Sequence, residues 1–425
     1  MPPAYSKQYF FSISLLFLAL TTNLQAEDWP QWRGPRRDGV SKETGLLQEW
    51  PAAGPPQKWV FKDCGIGYSG PAVVGDRIYI LGSRDGVEKL IALNTNSGEE
   101  LWFTDIGTEF ENGWGNGPRS TPTVDGDRIY ALGAQGNLIC VEAPSGELVW
   151  QKSMVDLGSK GPPFWGYSES PLIHQGHVIV TPGGKEGAIV ALDKSTGELV
   201  WQSAELTSGA HYSSTMLTQR NGKAEIVQLL VDKGVGVDAA TGDMLWQTPW
   251  PGRVAVVPTP ILRDNHVYFT SGYGVGSMLV SIDAQYNVDV AYDNKVMKNH
   301  HGGVVLIGDH LFGHSDKVGW VCQDFLSGKS VWREREALGK GSIAYADNRL
   351  YCFSKDEGIA VLADASPEGW KEHGRFTLSP LSEIRKDKGR IWTQPVVSNG
   401  RLYLRDQDLL YSFDVSDGKT GLAVQ

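Results

Sequence analysis

Arg119 and Glu169 stand out first, because each sits in a loop so rich in aromatic and small residues that a charge there needs a partner or a ligand. The loops read Gly67-Tyr68-Ser69-Gly70, then Trp114-Gly115-Asn116-Gly117-Pro118-Arg119-Ser120, then Phe164-Trp165-Gly166-Tyr167-Ser168-Glu169-Ser170. Further along come His211-Tyr212-Ser213, Arg253, Asn299-His300-His301, Lys340 and Trp392-Thr393-Gln394. The candidates from this set are Tyr68, Trp114, Arg119, Trp165, Tyr167, Glu169, His211, Arg253, His300, His301, Lys340 and Trp392. Aromatic walls with a few polar groups describe a pocket for a small polar ligand or a peptide. Arg119 and Glu169 also have a plainer reading, as partners of each other or of backbone. His300 and His301 are adjacent, so on an extended strand they face opposite ways, and a metal site using both is not expected. Gly274 and Gly276 sit in a hairpin context rather than a phosphate loop. No zinc, nucleotide or nucleophile motif of useful strength is present, so no catalytic residue and no metal ligand is assigned.

The elements that must position these loops are repeats. Eight segments share small or apolar residues, a two-residue turn and a short apolar strand, as in Pro71–Tyr79 (PAVVGDRIY), Pro122–Tyr130 (PTVDGDRIY) and Pro395–Tyr403 (PVVSNGRLY). Their turn pairs, from Gly75-Asp76 to Asn399-Gly400, are Gly, Asn, Asp or Gln combinations of the kind that tolerates the positive φ of a tight hairpin. A second element follows most hairpins: Ala92 to Gly98 to Trp102, Val141 to Gly146 to Trp150, Ala191 to Gly197 to Trp201, Val237 to Gly242 to Trp246, and Gln323 to Gly328 to Trp332. It reads as a third strand, a glycine turn and a fourth strand opening on tryptophan. The fifth unit is degenerate, with Tyr292 near the Trp position, and the seventh is looser, with Trp370. A large ring at one fixed position fills the wedge between stacked sheets. The fold class is therefore all-β, an eight-bladed propeller of four-stranded blades. The last unit stops after its third strand, whereas Lys58-Trp59-Val60-Phe61 resembles a fourth strand without a preceding three. The expectation is that residues 57–62 close the last blade and remove the open edges. At about 46 residues per blade, the period suits a propeller. All eight return loops should then converge on one funnel at the mouth of a central channel.

The A-x-D-x-x-x-G-x-x-x-W spacing, cleanest at Ala191 to Trp201, resembles the repeat of the PQQ-like (quinoprotein) propellers. That group includes pyrroloquinoline-quinone alcohol dehydrogenases and the non-enzymatic periplasmic scaffold of the outer-membrane barrel assembly machine. The run Trp29-Pro30-Gln31-Trp32-Arg33-Gly34-Pro35, with Asp38-Gly39 after it, looks like the opening of exported PQQ-like repeat proteins of planctomycete type. The dehydrogenases hold their quinone under a disulfide of adjacent cysteines, beside a calcium ion. Here Cys64, Cys140, Cys322 and Cys352 lie far apart, and no complete calcium set falls in matching motifs. The resemblance thus implies a non-catalytic binding or scaffold propeller without a cofactor. The alternative is a PQQ- and calcium-dependent dehydrogenase with the quinone in the channel.

Residues 1–26 read as a signal peptide: Lys7, an apolar run from Tyr9 to Leu20, and a plausible cut after Ala26. Residues 27–56 read as an ordered strap, and 57–425 as the propeller. Export points to a periplasmic or secreted location and to cell-envelope proteins, peptides or small polar ligands as partners. The net charge of −10 disfavours nucleic acid. No second apolar run suggests a membrane span after signal removal. A core of this size does not need disulfides, and the four cysteines are expected to be buried free thiols.

Overall fold

A computed structural model describes Met1 and residues 26–418, so nearly all of the expected signal segment lies outside the described residues. The described chain forms eight antiparallel four-stranded sheets and a single turn of 3₁₀ helix at Val155–Leu157. Seven sheets are consecutive in sequence: residues 72–108 (blade 1), 123–153, 172–202, 216–249, 261–294, 304–334 and 341–377 (blade 7). Blade 8 is assembled from Val396–Ser398, Arg401–Asp406 and Leu409–Asp414, with Gln57–Phe61 added as its outermost strand. Val60 pairs with Tyr411 and Phe61 with Leu410, as the closure reading requires.

The core lies between blades. Tyr79, Leu81, Leu90 and Ala92 of blade 1 pack on Ile129, Ala131, Ile139 and Val141 of blade 2. The two middle strands of each blade are covered on both faces, which is why they read as short continuous apolar runs. All four cysteines are free and buried in these layers.

The repeated Trp and Gly form one docking device used around the ring. The outer-strand ring of one blade lies over the turn glycine of the next: Trp59 on Gly98, Trp102 on Gly146, Trp150 on Gly197, Trp201 on Gly242 and Tyr292 on Gly328. In four of the five the ring's polar hydrogen finds a carbonyl in that next blade, whereas Trp102 Nε1 is buried without a partner among the described residues. Trp59 Nε1 donates to Thr95 O at 2.9 Å, Trp150 Nε1 to Lys194 O at 3.0 Å, Trp201 Nε1 to Ala239 O at 3.2 Å, and Tyr292 Oη to Phe325 O at 2.9 Å. Blade 5 has no such glycine in its outer turn. Trp246 of blade 4 instead turns back to Glu225 of its own blade, at 2.6 Å, and Arg220 carries the link across, bonding Glu225 at 2.9 Å and Ile282 O at 3.0 Å. That link stands in for the missing glycine contact between blades 4 and 5, while Tyr292 keeps the ordinary contact with blade 6.

Gly98 shows what the device requires. Its φ is +74°, and a Cβ there would stand 2.6 Å from Trp59 Cδ2. Gly98→Ala must therefore strain the backbone and push the indole away, for a loss of about 2 kcal/mol or more, read by chemical denaturation.

Candidate functional site

Two parts of the chain make the site: the return loops at one mouth of the ring, and the segment before the first blade. The second part threads the axis. Trp29 pairs with Val73 of blade 1 through two 2.8 Å backbone bonds, and Pro30 O accepts from Val124 N of blade 2 at 2.8 Å. Arg37 donates to Ser170 O at 2.8 Å and Pro171 O at 3.1 Å, beside blade 3. Arg33 donates to Val304 O of blade 6 at 2.6 Å and to Gln394 Oε1 at 3.3 Å, while Tyr345 N of blade 7 donates to Gly39 O at 2.9 Å. Arg33 and Arg37 are both buried, and burial pulls each guanidinium down to about 10, so both remain charged. A segment touching the innermost strands of so many blades can only sit at the centre. It plugs the channel, and Trp32, with Nε1 bonded to Thr259 Oγ1 at 2.9 Å, faces the cavity that remains.

That cavity holds about 190 Å³ and is lined by Trp32, Tyr68, Trp114, Arg119, Trp165, Ser168, Tyr212, Ala255, Val257, Tyr273, His300, His301 and Trp392. The structure thus brings together seven residues singled out from sequence: Tyr68, Trp114, Arg119, Trp165, His300, His301 and Trp392. His300 and His301 lie outside any strand, so instead of facing opposite ways their rings stack 4.5 Å apart and both reach the cavity. The rings meet edge to face or tilted. Trp114 and Trp165 are 5.8 Å apart at 86°, Trp165 and Tyr212 5.8 Å at 58°, and Tyr68 and Trp392 5.1 Å at 43°. Contacts of that kind leave ring faces open for stacking.

The other five candidates do not line the cavity. Tyr167 is buried in blade 3, its hydroxyl within 2.5 Å of Ser159 Oγ and 3.1 Å of Pro182 O. Glu169 is buried too and accepts from Thr181 N and Oγ1 at 2.7 and 2.9 Å and from Gln228 Nε2 at 3.3 Å. Its partners are therefore these groups and the nearby Arg37 charge, and burial raises its carboxyl to about 7. His211 accepts from Val256 N through Nδ1 at 2.9 Å and braces Tyr212. Arg253 is exposed. Lys340 stands behind His300, donating to Asp316 Oδ1 at 2.5 Å and to His300 Nδ1 at 2.8 Å. Of the six lining residues not among the candidates, Ala255 and Val257 carried no signal and four did. Trp32 lies in the Trp- and Pro-rich opening run, Ser168 and Tyr212 adjoin candidates, and Tyr273 tips the blade 5 hairpin between Gly272 and Gly274.

Electrostatically the cavity is a basic spot in an acidic protein. Arg119 is its one formal charge, with burial lowering the guanidinium to about 10. His300 is pulled down to about 4 by burial and by Lys340, and His301 falls well below its ordinary range for the same reason, so both rings are neutral at pH 7. His211 and His314 are likewise lowered to about 4 by burial. Between pH 6.5 and 4 the unfolded chain binds protons that the folded one refuses, so stability rises with pH across that window. Glu88 and Glu169, raised to about 7, act oppositely between about pH 4.5 and 7. With His174 also lowered, and with Glu43 and Asp406 also raised by burial, five histidines stand against four carboxyls, and we expect a higher Tm at pH 7 than at pH 5 by scanning calorimetry. Glu169→Gln removes one opposing group and should steepen that rise.

A calcium–quinone centre needs carboxylate or amide oxygens around the metal. No Asp, Glu, Asn or Gln lines the cavity, and among the described residues no three His, Cys, Asp or Glu side chains are grouped to hold a metal. The residues present do not fit that group.

A family model described as PQQ_2, outer membrane protein assembly factor BamB, matches residues 88–334, more than half of the chain. The chain belongs to this family. A BamB of Burkholderia pseudomallei is 26% identical over 345 residues, covering 80% of this chain and 81% of the relative. The quinohemoprotein alcohol dehydrogenase ADH IIB of Pseudomonas putida is 26% identical over 121 residues, which is 27% of this chain and 17% of that enzyme. Among solved structures, BamB from Moraxella catarrhalis superposes with TM-score 0.60 at 16% identity, over 85% of this chain and 99% of its own. Quinohemoprotein alcohol dehydrogenase from Comamonas testosteroni gives 0.63 at 13% identity, over 94% and 82%. At such identities the two structures establish the fold, shared by assembly factor and dehydrogenase. The distinction between them lies in the site.

Proposed function

We propose that this BamB-family chain is an exported, non-catalytic binding propeller that recognises a cell-envelope component, a protein, peptide or small polar ligand, at its loop-rich face. The observation that carries this reading is the aromatic cavity itself. It is plugged from within by the chain's own Trp32 segment and lined without any carboxylate that could act as base or metal ligand. A binding role asks only for shape, ring faces and a few fixed donors, and these are present. The curated relatives named as outer membrane protein assembly factors point the same way, towards an envelope location and partner.

The test pairs two assays on the purified chain. PQQ and calcium should cause no change in quinone absorbance, and alcohols should not reduce an added dye. A photo-crosslinking residue at Tyr273, on the cavity rim, should capture an envelope component that the same residue at Gln48, exposed beside the blade 7 hairpin turn, does not. Alcohol turnover with bound quinone would overturn the proposal in favour of the dehydrogenase alternative.

A further inference from the structure

Two of the cavity's polar groups, Arg119 and His300, face it as donors. Arg119 donates to Gly117 O, and to Gly115 O at 2.7 Å, which fixes the guanidinium and leaves further N–H groups unspent. It makes no ion pair among the described residues. The acid acting on it, Glu88, spends its oxygens on Phe110 N at 3.2 Å and Ala134 N at 2.8 Å. His300 is a donor as well. The Lys340 ammonium has no lone pair to offer, so Nδ1 accepts from it and the ring proton resides on Nε2. The lysine charge is matched by Asp316.

The ring faces add a second constraint. An aromatic cage free of cations would suit an ammonium ligand. Here the protein's own cations already lie over rings at the site: Arg119 over Tyr68 at 5.4 Å and over Phe110 at 4.8 Å, and Lys388 over Trp114 at 5.0 Å. A cationic ligand would meet repulsion with no carboxylate among the lining residues to offset it. An anion meets attraction, strengthened by the low dielectric of the walls. A volume of about 190 Å³ has room for on the order of ten waters, the space of one or two sugar rings.

Resting on the binding function proposed above, we propose that the cavity takes a sugar acid: a pyranose ring stacked on its apolar face between the Trp165 and Trp392 walls, with its ring carboxylate at Arg119. Hydroxyls of such a ring supply the acceptors that His300 Nε2–H and the indole N–H groups of Trp114, Trp165 and Trp392 lack; Trp32 Nε1 is already bonded to Thr259.

Titrations of tryptophan fluorescence and heat with D-glucuronate, D-glucose and benzoate separate the parts. Glucuronate and glucose share the ring and differ at one carbon, whereas benzoate keeps the carboxylate on a flat aromatic ring. We expect glucuronate to bind at least tenfold more tightly than glucose or benzoate, and to weaken with salt. Arg119→Gln should erase the preference over glucose, and Trp165→Ala should weaken both sugars. Because Arg119 is buried, Lys388→Gln serves as a second variant on the outside of the cavity and should lower glucuronate affinity two- to threefold. Equal affinity for the two sugars, tighter binding of benzoate, or no saturable binding of glucuronate would overturn the assignment. The envelope crosslink at Tyr273 is read independently of these titrations, so it can persist when the sugar acid fails.

Discussion

Arg405→Met should loosen the ring at the junction of blades 8 and 1, with a loss of about 3 kcal/mol in chemical denaturation. Arg405 is fully buried and has no carboxylate in hydrogen-bond contact. Its guanidinium instead gathers four carbonyls: Gln407 O at 2.7 Å in its own blade, and Leu81 O at 2.6 Å, Ser69 O at 3.0 Å and Gly65 O at 3.1 Å in blade 1 and its approach loop. Methionine matches the apolar stem but leaves these acceptors unpaired in a place water does not reach. Arg405→Lys should fail almost as badly, because a single ammonium cannot span the same fan of acceptors. A melt of Arg405→Met that overlays the parent would show that the carbonyls are satisfied by other means.

Removing residues 27–45 should have the larger effect. The deletion takes away Trp29, 2% exposed, and two buried arginines that bridge otherwise separate blades. Burial of one such ring alone amounts to roughly 4–6 kcal/mol on area grounds. We expect a loss on the order of 5 kcal/mol, a rise in binding of an apolar dye to the opened axis, and weaker ligand binding because Trp32 goes with the segment. Unchanged melting would mean that the segment lies over the ring without supporting it.

The architecture was legible because its signals are local and repeated. A Gly, Asn or Asp turn announces each hairpin, and a Trp four residues after a Gly announces five of the eight outer strands. The unmatched Trp59 strand supplied the closure. The site was legible only in part. Charge in a crowded loop singled out Glu169, but its partners, Thr181 and Gln228, come from positions that sequence spacing does not connect to it. His211 and Lys340 proved to be supports one layer behind the lining, a distinction that depends on side-chain direction. Trp32 is the instructive case. Its surroundings come from blades far along the chain, and no periodicity links residue 32 to Thr259.

The stitched last blade also governs when the molecule can be finished. Its outer strand and its neighbour lie roughly 350 residues apart, so seven blades can condense during synthesis while the eighth waits for the final strands to emerge. Until then both flanks of the growing crescent expose the apolar blade faces that the eighth blade will cover, the condition that invites association with other chains. A slow, late step tied to that long-range pairing is the kinetic signature of this design, and a holding factor that shields the crescent would act there.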